Sequence, residues 1–171
     1  MNSKLAELFI QMTNYDSGDP RRVQHFTKVH DFAAVIGQSE KMDCESLFVL
    51  EAASILHDIG IHISEEKYNA CNGKQQELEG PAEAKKLLEA NGNFTEKEIE
   101  RICFLIGHHH TYNAIDGLDY QILVEADFLV NAYEDSLSVS AIEHFRDRYF
   151  KTQTGIQLLN SMFVEKRKKI V

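Results

Sequence analysis

The feature that most constrains this chain is the stretch Ala52–Gly60, in which an apolar run ends in His57 and Asp58. Large apolar residues precede the pair at helical spacing, which predicts a core helix that Gly60 ends. A buried imidazole beside a buried carboxylate costs free energy unless something pairs them. Because a divalent metal ion suits both groups, the stretch predicts a metal site, with a helix cap or a hydrogen-bonded core histidine as the alternative.

The composition indicates one globular domain spanning residues 1–171. The chain is 43% hydrophobic and 26% charged, which is enough to bury a sizeable core. It has neither a long apolar run nor a signal-peptide pattern, and its three widely spaced cysteines form neither a zinc ribbon nor a disulfide framework. These features predict a cytoplasmic protein with reduced thiols and no membrane partner.

The net charge of −9 indicates which partners to expect. An acidic surface repels polyanions, so a nucleic-acid polymer is not expected as a partner. The four basic residues Lys166–Lys169 are predicted to form a solvated helix end, which the helix dipole favours. The helices of the final segment, 138–171, either pack on the core or form the interface of a homo-oligomer.

Helical periodicity predominates along the chain and predicts an all-α bundle. Asp19 and Pro20 predict the start of a helix that runs to about Gly37. The polar stretch 62–80, helical in part around residues 65–69, predicts a lid, a binding loop or a mobile surface segment. Gly80-Pro81 is then predicted to open the next helix. Thr95 opens a further helix with a capping box that runs to about Gly107.

Three predicted helices each place metal-capable side chains among apolar neighbours. These side chains are His25, the His57-Asp58 pair and Asp127. Helices of a bundle can supply ligands to one shared metal site, and this mixed nitrogen and oxygen set leaves Mn, Fe, Co, Ni, Zn and Mg open. His30 lies well round the helix from His25 and is predicted to be a surface or partly buried residue, not a ligand.

The order His, His-Asp, Asp resembles the HD-domain superfamily of metal-dependent phosphohydrolases. The resemblance spans about residues 21–133, with flanking helices at 1–18 and 138–171, and rests on four segments: Arg22-x-x-His25, Ala52–Gly60, Ile102-x-x-x-Ile106-x-x-His109 and Glu125–Leu129. It implies a single-domain, all-α bundle of the HD type. It also implies that His25, His57, Asp58 and Asp127 bind one divalent metal ion, with His57 and Asp58 catalytic.

One position departs from the pattern of the two-metal members of that family. Gln76 stands where they carry an additional histidine, which favours one metal over two. The run His108, His109 and His110 lies where those members place further ligands, so a second metal remains open. His109 is expected to lie nearest the site, bound to a second metal or to phosphate, and an exposed helix-end cluster is the alternative.

The resemblance implies hydrolysis of a phosphate monoester or diester by metal-activated water. The expected substrate is a small molecule, in particular a nucleotide. The expected substrate-binding residues are Arg22, Lys28, Lys74 and Gln76, with a surface salt bridge as the alternative for Lys28 and loop solvation for Lys74. Two other functions fit the same residues: a di-iron oxygenase and a non-catalytic sensor that binds a metal or a nucleotide.

Overall fold

The computed structural model describes residues 2–165 and confirms that the fold is all-α. Within that range the chain forms nine α-helices and one short π-helix, without a strand. In chain order they are α1 (Ser3–Tyr15), α2 (Pro20–Ser39), α3 (Cys44–Leu56), α4 (Gly60–Tyr68), α5 (Gly73–Asn91), α6 (Glu96–Ile106), α7 (Leu118–Glu134), α8 (Val139–Tyr149), α9 (Gln153–Leu159) and the π-helix (Asn160–Val164).

Polar side chains fix the starts of most of these helices. Asp19 accepts a hydrogen bond from the backbone N–H of Arg22, and Pro20 occupies the first helical position, as predicted. Thr95 forms the predicted capping box with Glu98 at the start of α6. These caps satisfy backbone donors that a helix start would otherwise leave unpaired.

Helices α3 and α7 form the centre of the fold. Every residue of α3 from Val49 to Leu56 is buried, and so is every residue of α7 from Tyr120 to Val130. Helix α2 packs against both and buries Val29, Ala33 and Ile36. The stretch Cys44–Tyr68 is long and apolar enough to cross a membrane, but 61% of its apolar window is buried within the fold, which is typical of a core helix.

In the polar stretch 62–80, the helix predicted around residues 65–69 is confirmed, but the loop predicted for the rest is wrong. Helix α4 covers its first part, and a left-handed Asn69 (φ 51°) ends that helix. Helix α5 then begins at Gly73, behind a capping box between Asn72 and Gln75. Pro81 therefore lies inside α5 and does not open it.

Gly60 was also assigned to the wrong helix end. It begins α4, and three residues, His57 to Ile59, turn the chain between α3 and α4. A Cβ atom on Gly60 would lie 2.8 Å from the carbonyl oxygen of Gln76 and 2.8 Å from the backbone nitrogen of Gly80. The glycine thus lets α4 and α5 meet backbone to backbone.

The end of the described chain packs on the core. Helix α9 contacts α2 and α7, and Ile142, Phe150 and Leu159 are buried. The helix predicted to run to Lys169 is interrupted by the π-helix, and the basic run Lys166–Lys169 lies outside the described residues.

Candidate metal centre

Four of the predicted site residues lie together where α2, α7 and the turn after α3 meet. The Nε2 atoms of His25 and His57 face each other at 3.2 Å. Asp127 Oδ1 lies 3.3 Å from the first and 3.5 Å from the second, and Asp58 Oδ2 lies 3.5 Å from each. Two imidazole nitrogens and two carboxylate oxygens therefore converge on one point.

The cluster is buried and strongly coupled electrostatically. Burial alone would lower the pKa of His57, but the carboxylates of Asp58 and Asp127 outweigh it and raise that pKa to about 9. The pKa of His25 is raised in the same way, against the effect of its burial. Burial would raise the pKa of Asp127, but the two histidines hold it well below its ordinary value. Without a metal ion, the two carboxylates thus favour the protonated form of His57.

The second ring nitrogen of each histidine has a fixed partner. Nδ1 of His25 donates to Glu134 Oε2 at 3.0 Å, and Nδ1 of His57 donates to the carbonyl oxygen of Ser54 at 2.9 Å. When the imidazoles are neutral, these bonds leave the lone pair on Nε2, facing the cluster. Metal-binding histidines in proteins are usually held in this way, so the donor set fits a divalent cation.

A second group of donors shares Asp58 with the first. Asp58, His109 and His110 each place one ligand atom within 4.8 Å of the others. His109 is fully buried, its Nδ1 donates to the carbonyl of Ile106 at 2.8 Å, and its Nε2 lies 3.8 Å from Asp58 Oδ1 without a hydrogen-bond partner. Burial, assisted by the charges of His110 and His57, lowers the pKa of His109 to about 3. An orphaned, neutral, buried nitrogen fits a ligand for a second cation.

The three consecutive histidines have different surroundings. His110 lies against Gln76, with its Nε2 2.6 Å from the amide oxygen Oε1. His108 turns away from the donor groups, stacks on Phe104 at 4.3 Å and donates from Nδ1 to the carbonyl of that residue. The alternative of an exposed helix-end cluster is therefore wrong for His109.

Two cavities meet at the cluster, and Asp58, Gln76 and Asn131 line both. The first, of about 340 Å³, is lined in addition by Asp19, Arg21, Arg22, His25, Ile61, Glu65, Cys71 and Glu134. The second, of about 360 Å³, has an aromatic wall and is lined in addition by His110, Tyr112, Asp127, Phe128, Asp135, Leu137 and Phe145. We refer to them as the arginine cavity and the aromatic cavity.

The predicted substrate-binding residues are placed differently from one another. Arg22 lines the arginine cavity, where its guanidinium contacts His62 at 2.8 Å and Glu65 at 2.8 Å. Gln76 lies between the two cavities. Lys28 pairs with Glu134, and Lys74 is exposed in the first turn of α5, outside the linings of both cavities.

Three polar residues that hold the cluster were not among the predicted site residues. Asn131 donates to Asp127 Oδ1 at 2.8 Å, and Glu134 accepts from His25. Glu77 accepts from the backbone N–H of His110 at 3.0 Å and from the hydroxyl of Thr111. The first two could have been found, because Asp127, Asn131 and Glu134 follow one another at i, i+4 and i+7 on one face of α7.

His30 was predicted to be a surface or partly buried residue, and that prediction was wrong. It is buried, with its Nδ1 3.2 Å from Asp31 and its Nε2 3.9 Å from Glu51 Oε1. It lies outside both donor groups.

Comparison with known proteins supports the fold. No protein-family model matches the chain, and no curated protein matches it. Among solved structures, it is similar to the crystal structure of a predicted HD superfamily hydrolase from an uncultured Thermotogales bacterium. The TM-score is 0.63 and the sequence identity is 24%, over 91% of this chain and 83% of that chain. This likeness shows that the chain shares the all-α fold of that HD superfamily protein.

Proposed function

We propose that the protein is a metal-dependent phosphohydrolase that acts on a small phosphate ester, in particular a nucleotide. One observation carries the proposal: the Nε2 atoms of His25 and His57 and the carboxylates of Asp58 and Asp127 converge in a buried cluster at the junction of two cavities. The similar Thermotogales protein is a predicted hydrolase, which supports the same class of chemistry.

The first donor group, His25, His57, Asp58 and Asp127, would hold the metal ion. A divalent metal bound there lowers the pKa of water and polarises a phosphoryl oxygen. Asp58 is the ligand with the most exposed side chain, 19% against 10% or less for the others, and it lines both cavities. It is therefore the carboxylate best placed to orient a water molecule and accept its proton.

The cavities support a small substrate with one phosphate and one aromatic group. Arg21 and Arg22 are the positively charged residues of the arginine cavity, and a phosphate bound to Arg22 would replace its ion pairs with Asp19 and Glu65. The aromatic cavity has a wall formed by Tyr112, Phe128 and Phe145, and such a wall suits a nucleobase. Volumes of about 340 and 360 Å³ suit a mononucleotide better than a polymer.

The experiment that tests this function compares wild type with Asp58→Ala. Metal per chain is measured by elemental analysis, and hydrolysis is measured against p-nitrophenyl phosphate, its bis-ester, nucleoside monophosphates and cyclic nucleotides, with Mn, Co, Ni, Zn or Mg added. We expect bound metal and phosphate release in wild type, and loss of both in the variant. Asp147→Ala, at an exposed aspartate of α8, is the control and should match wild type.

Two results would contradict the proposal. If the wild-type protein bound none of these metals, the proposed metal centre would be wrong, and a sensor that binds a nucleotide would be favoured. Full metal occupancy and activity in Asp58→Ala would mean that another site holds the metal.

The second donor group is compatible with one other function, that of an oxygenase. Asp58, His109 and His110 could hold a second ion, and a two-iron site is what an HD-fold oxygenase requires. Gln76 weighs against it, because an amide occupies a position where such a site needs a further ligand. About two iron atoms per chain, with oxygen consumption and no phosphate release, would favour the oxygenase.

A further inference from the structure

We propose that Glu134 and Lys28 form a positioning pair that holds His25 in the orientation required for metal binding and thereby sets metal affinity. This inference rests on the proposed metal centre, and it gives Lys28 a role other than the substrate contact expected from the sequence. Neither residue belongs to the two donor groups.

The contacts form a chain of three side chains that leads away from the cluster. His25 Nε2 faces Asp127, its Nδ1 donates to Glu134 Oε2 at 3.0 Å, and Lys28 donates from Nζ to Glu134 Oε1. The two oxygens of the Glu134 carboxylate therefore serve different partners. A carboxylate can only accept, so this arrangement requires the hydrogen on Nδ1 and leaves Nε2 free to bind a metal.

Helix geometry makes the arrangement specific. His25 and Lys28 lie one turn apart on α2, while Asp127 and Glu134 lie two turns apart on α7, and the two helices pack against each other. The imidazole is thus held between two carboxylates of the facing helix. A bond to Asp127 alone would favour the hydrogen on Nε2, the atom that faces the cluster.

Burial explains why a lysine accompanies the glutamate. The side chain of Glu134 is 13% exposed and contacts His25, whose other ring nitrogen faces the carboxylates of Asp58 and Asp127. A third negative charge at this depth needs a counter-charge, and Lys28, with its side chain 40% exposed, supplies it from the surface side. The pair can therefore keep Glu134 ionised while it orients His25.

The chain contains a matched control for this pair. Lys67 and Glu79, on α4 and α5, form a second lysine–glutamate pair at 2.5 Å, with side-chain exposures of 49% and 13%. Glu79 lies outside the linings of both cavities. Glu79→Gln therefore removes an equivalent charge and salt bridge without touching the cluster.

The test measures the affinity of metal-depleted protein for Co(II) by competition with a chelator, together with the visible absorption of bound Co(II). Glu134→Gln should weaken affinity about 10- to 100-fold and alter the spectrum, as loss of a histidine's outer partner does in other metal sites. Lys28→Met should weaken it by a smaller factor, and Lys28→Arg should restore affinity. Glu79→Gln should leave both readouts unchanged.

A double variant separates positioning from a general structural effect. In a His25→Ala background, Glu134→Gln should cause no further loss of affinity, because its only route to the metal has been removed. Circular dichroism of the metal-free proteins checks that each variant is folded.

Three outcomes would overturn the inference. They are wild-type affinity in Glu134→Gln, an equal loss in Glu79→Gln, and a full additional loss in the His25→Ala background. A wild-type protein that binds no Co(II) would instead contradict the proposed metal centre itself, so the two failures are distinguishable.

Discussion

Three buried histidines of the centre each have one ring nitrogen fixed by an acceptor in the protein. Glu134 fixes His25, the Ser54 carbonyl fixes His57, and the Ile106 carbonyl fixes His109. Two of these acceptors are backbone carbonyls three residues before the histidine, which the local helical turn provides whatever the side chains are. The imidazoles are therefore oriented before any ligand arrives, and little ordering entropy remains to be lost on binding.

The charge state of His57 leads to a prediction about pH. Because the carboxylates raise its pKa from 6.5 to about 9, the metal-free protein keeps a proton that a metal must displace. Metal affinity should therefore rise as pH increases from about 6.5 to 9 and then level off. The raised pKa also stabilises the metal-free fold below pH 6.5, and this contribution is lost as pH rises towards 9.

Calorimetry can check this prediction by titrating the metal in two buffers with different ionisation enthalpies. The difference in measured heat gives the number of protons released, which should decrease towards pH 9. An affinity that fell over this range, or binding without proton release at pH 7, would contradict the assignment of His57.

Glu125, two residues before Asp127, has a structural role. Its carboxylate is fully buried and accepts hydrogen bonds from Gln121, the hydroxyl and N–H of Thr152, and the N–H of Lys151. Glu125→Ala would strand these donors, so we expect a loss of about 2–4 kcal/mol in the free energy of unfolding.

Urea denaturation measures that loss, with the exposed Glu66→Ala as the control. Metal affinity of the folded variant should stay at the wild-type value, because Glu125 points towards α9 and not towards the cluster. A weakened metal site with unchanged stability would reverse this assignment.

At the scale of elements, the helices predicted best from the sequence are those in which the capping residue and the apolar pattern indicate the same helix. Helices α2 and α6 have a capping side chain and a buried apolar stripe, and both were placed to within about two residues. Helix α5 was misplaced because Gly80 and Pro81 look like a helix start, whereas the true start is the capping box at Asn72. A proline in a helix interior costs free energy. Only the tertiary contacts of α5, which the sequence does not show, reveal that this loss is offset.

The site residues differ in the same way: some are marked by the local sequence pattern, and others only by tertiary contacts. His25, His57, Asp58 and Asp127 could be grouped from the sequence because each interrupts an apolar stripe. Their partners Asn131 and Glu134 lie at the polar end of α7, where a polar residue is ordinary, so only their i+4 and i+7 spacing from Asp127 marks them. The contact of Gln76 with His110 joins α5 to the turn after α6 and has no local signature.

The close contact of α4 and α5 leads to an element-scale prediction. Gly60→Ala places a Cβ 2.8 Å from two backbone atoms of α5, which cannot yield as a flexible side chain would. The clash should outweigh the gain in helix propensity and lower the free energy of unfolding by about 1–3 kcal/mol.

Thermal unfolding of the metal-free protein measures this change. Lys74→Ala, at an exposed position of α5, is the control and should unfold like wild type. A Gly60→Ala variant as stable as wild type would show that the two helices are free to separate.

At the scale of the whole molecule, the proposed metal ligands come from segments that lie far apart in the chain. Helix α2, the turn after α3 and helix α7 each supply at least one donor, so a bound metal should stabilise the complete fold. At a free metal concentration of 100 times Kd, binding adds about 2.7 kcal/mol. For a chain of this size, that corresponds to a rise in Tm of roughly 5–10 °C.

Differential scanning calorimetry with and without metal tests this linkage. Asp58→Ala should show no metal-dependent rise, while Asp147→Ala should show the full one. A rise of the same size in Asp58→Ala would indicate that the metal stabilises the protein from another site.

Asp58 belongs to both donor groups and lines both cavities. Two ions bound there would not load independently, because each would draw on the charge of the same carboxylate while repelling the other. Loading should therefore be stepwise and anticooperative, with a tight first step and a weaker second one. The concentration of available metal would then decide whether the protein carries one ion or two. Because both ions would share the carboxylate of Asp58, the occupancy of the site would change gradually with metal concentration.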